Sequence, residues 1–398
     1  MLRRDQPAMT VLLGALIAVA PLAMDIYLAS MPSMTRALSA SPEQVQLTLS
    51  LYMYAWGVAQ VFIGPATDRY GRRPLLLAGL ALFVAASLAC AAARDVHVLI
   101  AARVAQAIGM AMVTVVPRAI VRDLYTGDQA ARILSLMGVV LGIAPVIAPI
   151  IGSHLHVWFG WQANFLFVAV YGALALATVA IALPETLRAR DRRATAPGVI
   201  LANYGRLIRS RRYVGYVLVA AFASCGLFAF LAGSAFVFVS VLGTEERGFG
   251  FLFGAVMLGN ITGAWIGSRL VTRLGIDRML RYSTWLMLAS GVALAALAWA
   301  HVAHPLAIVA PMFAFMIALM TTMPQAQAGA LTGFPEIAGS AASLLLVCQL
   351  VLASTSALIV GTTFDGTQRP MASTIAVASL LTFAVFRMLV RPAARGSA

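Results

Sequence analysis

Runs of about twenty consecutive apolar residues recur along almost the whole chain, each long enough to cross a hydrocarbon layer of about 30 Å as an α-helix. They predict spans over 9–31, 45–66, 74–93, 98–121, 132–154, 161–183, 214–241, 248–270, 278–300, 304–327, 337–361 and 370–390. A helix is the natural form for such a run, because it satisfies its own backbone polar groups where water cannot. With 61% hydrophobic and 11% charged residues, the chain carries more apolar surface than a water-soluble fold of this size can hide. The expected class is therefore an all-α membrane protein with twelve transmembrane helices. The opening "MLRRDQPAMTVLLGALIAVA" has the basic start and apolar run of a signal peptide. No small-residue cleavage site follows and the run continues to Met31, so it is expected to be the first span.

The net charge of +14 raises the question of a nucleic-acid partner. All 28 basic residues are arginines, and all but Arg103 and Arg118, which fall within helix 4, lie in short intervals between apolar runs, which topology explains better than a groove-fitting surface does. Arg3 and Arg4 precede helix 1, and Arg69, Arg72 and Arg73 follow helix 2. Arg122 and Arg132, the eight arginines from Arg188 to Arg212, four from Arg269 to Arg281 and three at the C-terminus share that side. Only Arg36, Arg94, Arg247 and Arg369 fall in the alternate loops, a division of 22 to 4. The bias predicts both termini in the cytoplasm and the bilayer as the partner, with no nucleic acid.

The longest polar interval separates six helices from six. It defines an expected N-terminal half (1–186), a cytoplasmic linker (187–212) and a C-terminal half (213–398). "DRYGRRPLL" after helix 2 and "TRLGIDRML" after helix 8 align Arg69 and Gly71 with Arg273 and Gly275, 204 residues on. That offset also brings Thr10 to Val214, where helix 7 begins, so the plan is two parallel six-helix repeats.

Asp25 is the one acidic residue of fourteen inside a predicted span. An ionised carboxyl at membrane depth costs about 3 kcal/mol on insertion scales. Dehydration favours its protonated form and an approaching cation its ionised form. That is the behaviour proton coupling requires; a structural ion pair is the alternative. Arg103 in helix 4 lies about as far from its outer helix end as Asp25 does, so it is the expected partner, with capping of backbone carbonyls as its alternative role. At the 204 offset the two correspond to Ala229 and Ala307, which places proton chemistry in the first half. Gln106 shares the helical face of Arg103. Gln60, Asn164, Tyr27, Tyr54 and Phe228 are further candidates for cargo contact or for helix packing.

In "GPATDRYGRRPLL", Gly64 suits close helix packing, while Asp68, Arg69, Gly71, Arg72 and Arg73 crowd a short turn. This cluster can latch onto helix ends or onto Asp123 and act as a conformational gate. Gly138, Gly142, Pro145, Pro149 and Gly152 form a stripe in helix 5, where glycines allow close approach and prolines bend the helix. The five histidines map to outer helix ends or loops, and Cys90, Cys225 and Cys348 fall inside apolar runs as packing residues. No spacing suggests a metal site, a nucleotide loop or a nucleophile elbow.

The loop motif 64–76, "LIAARVAQAIGMAM" in helix 4 and "GIAPVIAPIIGS" in helix 5 resemble the motifs of the major facilitator superfamily and its drug:proton antiporters. With "DIYLASMP", "AIVRDLY" and "LPETL", the set resembles the bicyclomycin/chloramphenicol-resistance (Bcr/CflA) efflux branch. The resemblance implies a bacterial inner-membrane exporter, a monomer, that exchanges a lipophilic small molecule for protons by alternating access. It implies no cofactor beyond the proton gradient, proton transfer involving Arg103, and a helix 5 bend that closes a leak path. A second acid found in some relatives near the position of Ile17 is absent. A proton symporter importing a metabolite, or a membrane sensor without transport, are the alternative functions.

Overall fold

The computed structural model describes residues 7–125, 127–187 and 197–390. Arg3, Arg4, Arg188, Arg190, Arg192, Arg193, Arg391 and Arg395, counted above toward the basic side, lie outside them. Among the described residues there is no strand, and twelve helices are long and apolar enough to cross a membrane. They are α1 (Ala8–Ala37), α2 (Pro42–Tyr70), α3 (Arg72–Ala92), α4 (Val96–Val121), α5 (Arg132–Phe159) and α6 (Gln162–Ala182), then α7 (Arg211–Val241), α8 (Glu246–Val271), α9 (Arg273–Trp299), α10 (Leu306–Leu331), α11 (Gly339–Thr362) and α12 (Arg369–Val390). Contacts divide the chain into two compact units, Met1–Ala196 and Pro197–Ala398.

Local chemistry sets the helix starts. Ser41 and Gln44 form a reciprocal capping box, with Pro42 next in sequence, so α2 begins there. Asp95 accepts from the His97 and Val98 amides ahead of α4, and Ser210 accepts from Tyr213 at the head of α7. The α2–α3 turn passes through Gly71 at φ +106°, and the α8–α9 turn through Gly275 at φ +72°. These are the two glycines 204 residues apart, and both adopt backbone angles that L side chains avoid. Between Glu246 and Trp299, Gly275 is the single interruption of helical geometry.

Lipid gives no hydrophobic force to drive helices together, so close backbone approach has to do more of the work. In the second unit Gly259 and Gly263 of α8 face the Phe313 and Ile317 carbonyls of α10; added Cβ atoms would stand 2.5 and 2.6 Å from those oxygens. The expected linker, read from sequence as a polar interval, contains a helix over Pro197–Ile208. It forms because Leu207 is buried in a core cluster with Tyr213, Tyr216 and Leu280, and because Asn203 Nδ2 donates to Ser340 Oγ at 3.2 Å. Of the cysteines, Cys90 and Cys225 are buried and all three are free thiols.

Candidate functional site

The first span is not one helix. A regular segment, Pro7–Asp25, ends on Asp25 itself; a 3-10 turn follows at Leu28–Ser30, and a second segment covers Met31–Ala37. Pro32 at the head of that second segment suits a fresh helix start. The Asp25 side chain is 3% exposed, and its Oδ1 has no hydrogen-bond partner among the described residues. Gly152 of α5 packs against the break, where a Cβ would overlap the Ile26 carbonyl oxygen.

A helix that ends inside protein leaves carbonyls without their usual amide partners. Arg103 supplies one: its Nη1 donates to Ala23 O at 3.0 Å, and its Nε to Thr48 O at 3.4 Å. Nη1 also donates to Gln106 Oε1, and Gln106 Nε2 donates to Ser87 Oγ at 2.7 Å. The guanidinium carbon lies 4.0 Å from the Tyr52 ring centre and 4.5 Å from that of Tyr27, so the fully buried cation sits between two aromatic faces. The expected direct ion pair between Asp25 and Arg103 is not formed among the described residues. A cation at a helix C-terminus meets both orphan carbonyls and the negative end of the dipole, and Arg103 occupies that position instead.

The other candidates divide. Tyr27 is fully buried, and its hydroxyl and Thr48 Oγ1 lie 3.2 Å apart. Asn164 is fully buried and donates from Nδ2 to Ser30 Oγ at 2.8 Å, fixing the 3-10 turn after the break. Ser33 Oγ and His156 Nε2 stand 3.0 Å apart just beyond it. Tyr54 is half-buried and Gln60 buried, farther along α2. Phe228 is half-buried in the second unit. Thr48, Tyr52 and Ser87 were not singled out from sequence. The signal available for Tyr52 was its place one helical turn after Thr48 in "LTLSLYMYAW".

The 64–73 cluster assembles around one cation. Arg72, 5% exposed, donates from Nη1 to Asp68 Oδ1 and Thr67 Oγ1, each at 2.6 Å, and from Nε to Asp123 Oδ2 at 2.9 Å. Glu185, unassigned from sequence, closes the arrangement. Its oxygens accept the Arg72 and Arg73 amides at 3.0 and 3.2 Å, an anion on the first amides of α3. Arg73 reaches the Ala180 carbonyl at 2.7 Å, and Arg69 lies over the Tyr70 ring. Gly64 does not serve close packing, because a Cβ there meets nothing within 4 Å. The same holds at Gly138 and Gly142, so the close approach expected of the α5 glycines is confined to Gly152. Pro145 and Pro149 both lie inside the continuous α5 helix.

Among the described residues no group of three or more His, Cys, Asp or Glu side chains can hold a metal. The histidines serve helix ends: His154 Nδ1 stands 2.8 Å from Ile150 O, His301 contacts Arg369, and His304 Nδ1 accepts the Leu306 amide.

The sequence profile described as Major Facilitator Superfamily matches residues 13–358. The chain is 30% identical over 378 residues to the "Bicyclomycin resistance protein homolog" of Haemophilus influenzae, covering 95% of this chain and 94% of the relative. It is also 30% identical over 364 residues to "Multidrug resistance protein D" of Escherichia coli, covering 90% and 91%. Among solved structures, a D-xylose-proton symporter superposes with a TM-score of 0.73 at 13% identity over 95% of this chain and 98% of that one, a likeness of fold alone.

Proposed function

The chain belongs to the major facilitator superfamily, and from that membership we propose that it exports lipophilic small molecules, antibiotics among them, in exchange for protons. Relatives named for bicyclomycin and multidrug resistance support this assignment, as do the twelve spans. The observation that carries it is Asp25, a buried carboxyl with an unpartnered oxygen at the break in α1.

A carboxyl so placed is uncharged at little cost and charged only when water, a donor or a cationic cargo reaches it. In the proposed cycle Asp25 takes a proton while the site is open to the outside. It releases that proton toward the cytoplasm as cargo loads. Arg103 holds the break in register, because a guanidinium bound to Ala23 O and stacked on two rings fixes where the first segment ends. We assign cargo contact to Tyr54, Gln60 and Phe228, and framework roles to Tyr27, Gln106 and Asn164, which are bonded to their neighbours. The Arg72 cluster is assigned to gating at the cytoplasmic ends of α2, α3 and α4. The arginine distribution supports cytoplasmic termini in a bacterial inner membrane. Proton chemistry is assigned to the first unit, since Ala229 and Ala307 stand at the repeat positions of Asp25 and Arg103. A monomer driven by the proton gradient, with no further cofactor, suffices for this cycle.

Proteoliposomes test it. Adding drug should dissipate an imposed pH gradient with wild type and leave it intact with Asp25→Asn. Protons and drug moving in the same direction would replace the exporter with a symporter. Equal protection of pump-deficient cells by wild type and Asp25→Asn would remove the coupling role.

A further inference from the structure

Tyr52 packs on the Arg103 guanidinium that caps the helical segment ending on Asp25. It is fully buried on α2, and its ring is nearer the Arg103 guanidinium than any other aromatic ring in contact with it. Three polar atoms from neighbouring helices are buried without a hydrogen bond among the described residues: Asp25 Oδ1 on α1, the Tyr52 hydroxyl on α2 and Arg103 Nη2 on α4. The side chains that carry them are 3%, 0% and 0% exposed. Tyr27, the next nearest aromatic on the guanidinium, has its hydroxyl paired with Thr48 Oγ1. Arg103 is anchored on the Ala23 and Thr48 carbonyls, two positions before Asp25 and one helical turn before Tyr52.

We infer that the Tyr52 hydroxyl is the positioning residue for proton exchange at Asp25, donating to the carboxylate after the proton leaves and accepting from the carboxylic acid before it does. The chemistry follows from what the groups can offer. An ionised carboxyl in a buried site needs a donor. Arg103 spends Nη1 and Nε on the Ala23, Thr48 and Gln106 oxygens, and it forms no ion pair with Asp25 among the described residues. A phenol can donate or accept by rotating one O–H bond, so it serves both protonation states. The adjacent guanidinium polarises the phenol toward donation.

The remaining titratable groups on the packed elements lack this opportunity. Tyr171 on α6 donates to Ala15 O, His156 on α5 is paired with Ser33 beyond the break, and His154 is held at Ile150 O. Cys90 on α3 is a buried free thiol, whose S–H is only a weak donor.

The inference rests on Asp25 being the proton carrier, so its test reads Asp25 directly. Dicyclohexylcarbodiimide reacts with protonated carboxyls, and labelling of Asp25 in the purified full-length chain is followed by peptide mass spectrometry across pH. Tyr52→Phe keeps the ring on Arg103 and removes the hydroxyl. Labelling should then persist to higher pH by about one unit, the worth of one hydrogen bond to a charged group. An unchanged profile, or one displaced to lower pH, overturns the role of Tyr52. Wild-type labelling that does not vary with pH overturns the proton-carrier assignment instead. Should Tyr52→Phe fail to fold, Tyr52→3,5-difluorotyrosine keeps the shape and strengthens the donor. Its profile should move to lower pH, and no movement overturns the inference.

Discussion

Gly152 of α5 lies directly against the Ile26 carbonyl of α1, so closely that a Cβ at position 152 would overlap the oxygen. The obstacle is backbone and cannot swing aside. Gly152→Ala must therefore move α5 or re-form the break that ends on Asp25. Proton–drug exchange in proteoliposomes should fall at least about tenfold, the effect of a misplacement of order 1 Å, with a lowered unfolding temperature. Gly138→Ala and Gly142→Ala meet open space and should unfold at the wild-type temperature.

Arg103→Lys separates charge from shape. Lysine keeps the cation but loses the planar fork that reaches Ala23 O, Thr48 O and Gln106 Oε1 together. Thermal scans should show Arg103→Lys unfolding well below wild type. Arg103→Gln should fall lower still, because it removes the charge at the helix end and the cation–aromatic contacts with Tyr27, Tyr52 and Phe165. Equal unfolding temperatures for lysine and arginine would exclude the cap geometry.

At the α2–α3 turn, Gly71→Ala introduces a Cβ at φ +106° and 2.6 Å from Glu185 Oε2. Strain of about 1–3 kcal/mol is expected. Glu185→Gln weakens the anion on the first amides of α3 by about 0.3–1 kcal/mol, less at high salt. Unfolding measured at two ionic strengths distinguishes the two: the backbone strain of the glycine variant persists at high salt, and the glutamate effect shrinks.

In the second unit, Gly263→Ala should lower the unfolding temperature, because the added Cβ faces the Ile317 carbonyl and backbone. Gly333→Ala, with open space around it, is the comparison that should unfold at the wild-type temperature.

Much of this architecture was legible in the sequence, and the reasons are physical. A run of about twenty apolar residues has few alternatives to spanning, so all twelve spans could be counted. Asp25 and Arg103 stood out because charge is rare at that depth. The target of Arg103 did not, since a backbone carbonyl freed by a helix break leaves no mark on the residue that owns it. Glu185 was hidden for a different reason: it meets Arg72 across 113 positions of chain, and no local pattern encodes that meeting. Tyr52 and Tyr54 are two residues apart and alike in composition; only burial against Arg103 separates them. Gly64, Gly138 and Gly142 show the converse error, where a residue type suited to close approach faces no close neighbour.

The turns at Gly71 and Gly275 share a backbone form but not a fastening. Where the first repeat has Arg72 and Glu185, the second has Ile276 and Leu389, both packed on the cluster around Tyr213 and Leu280. One copy of an ancestral hairpin is thus clasped by ions and the other by grease. Competing salt or a change of pH acts on the Arg72–Glu185 fastening of the first, for which the second has apolar contacts at the same positions. The two halves carry the same joint but answer to different conditions.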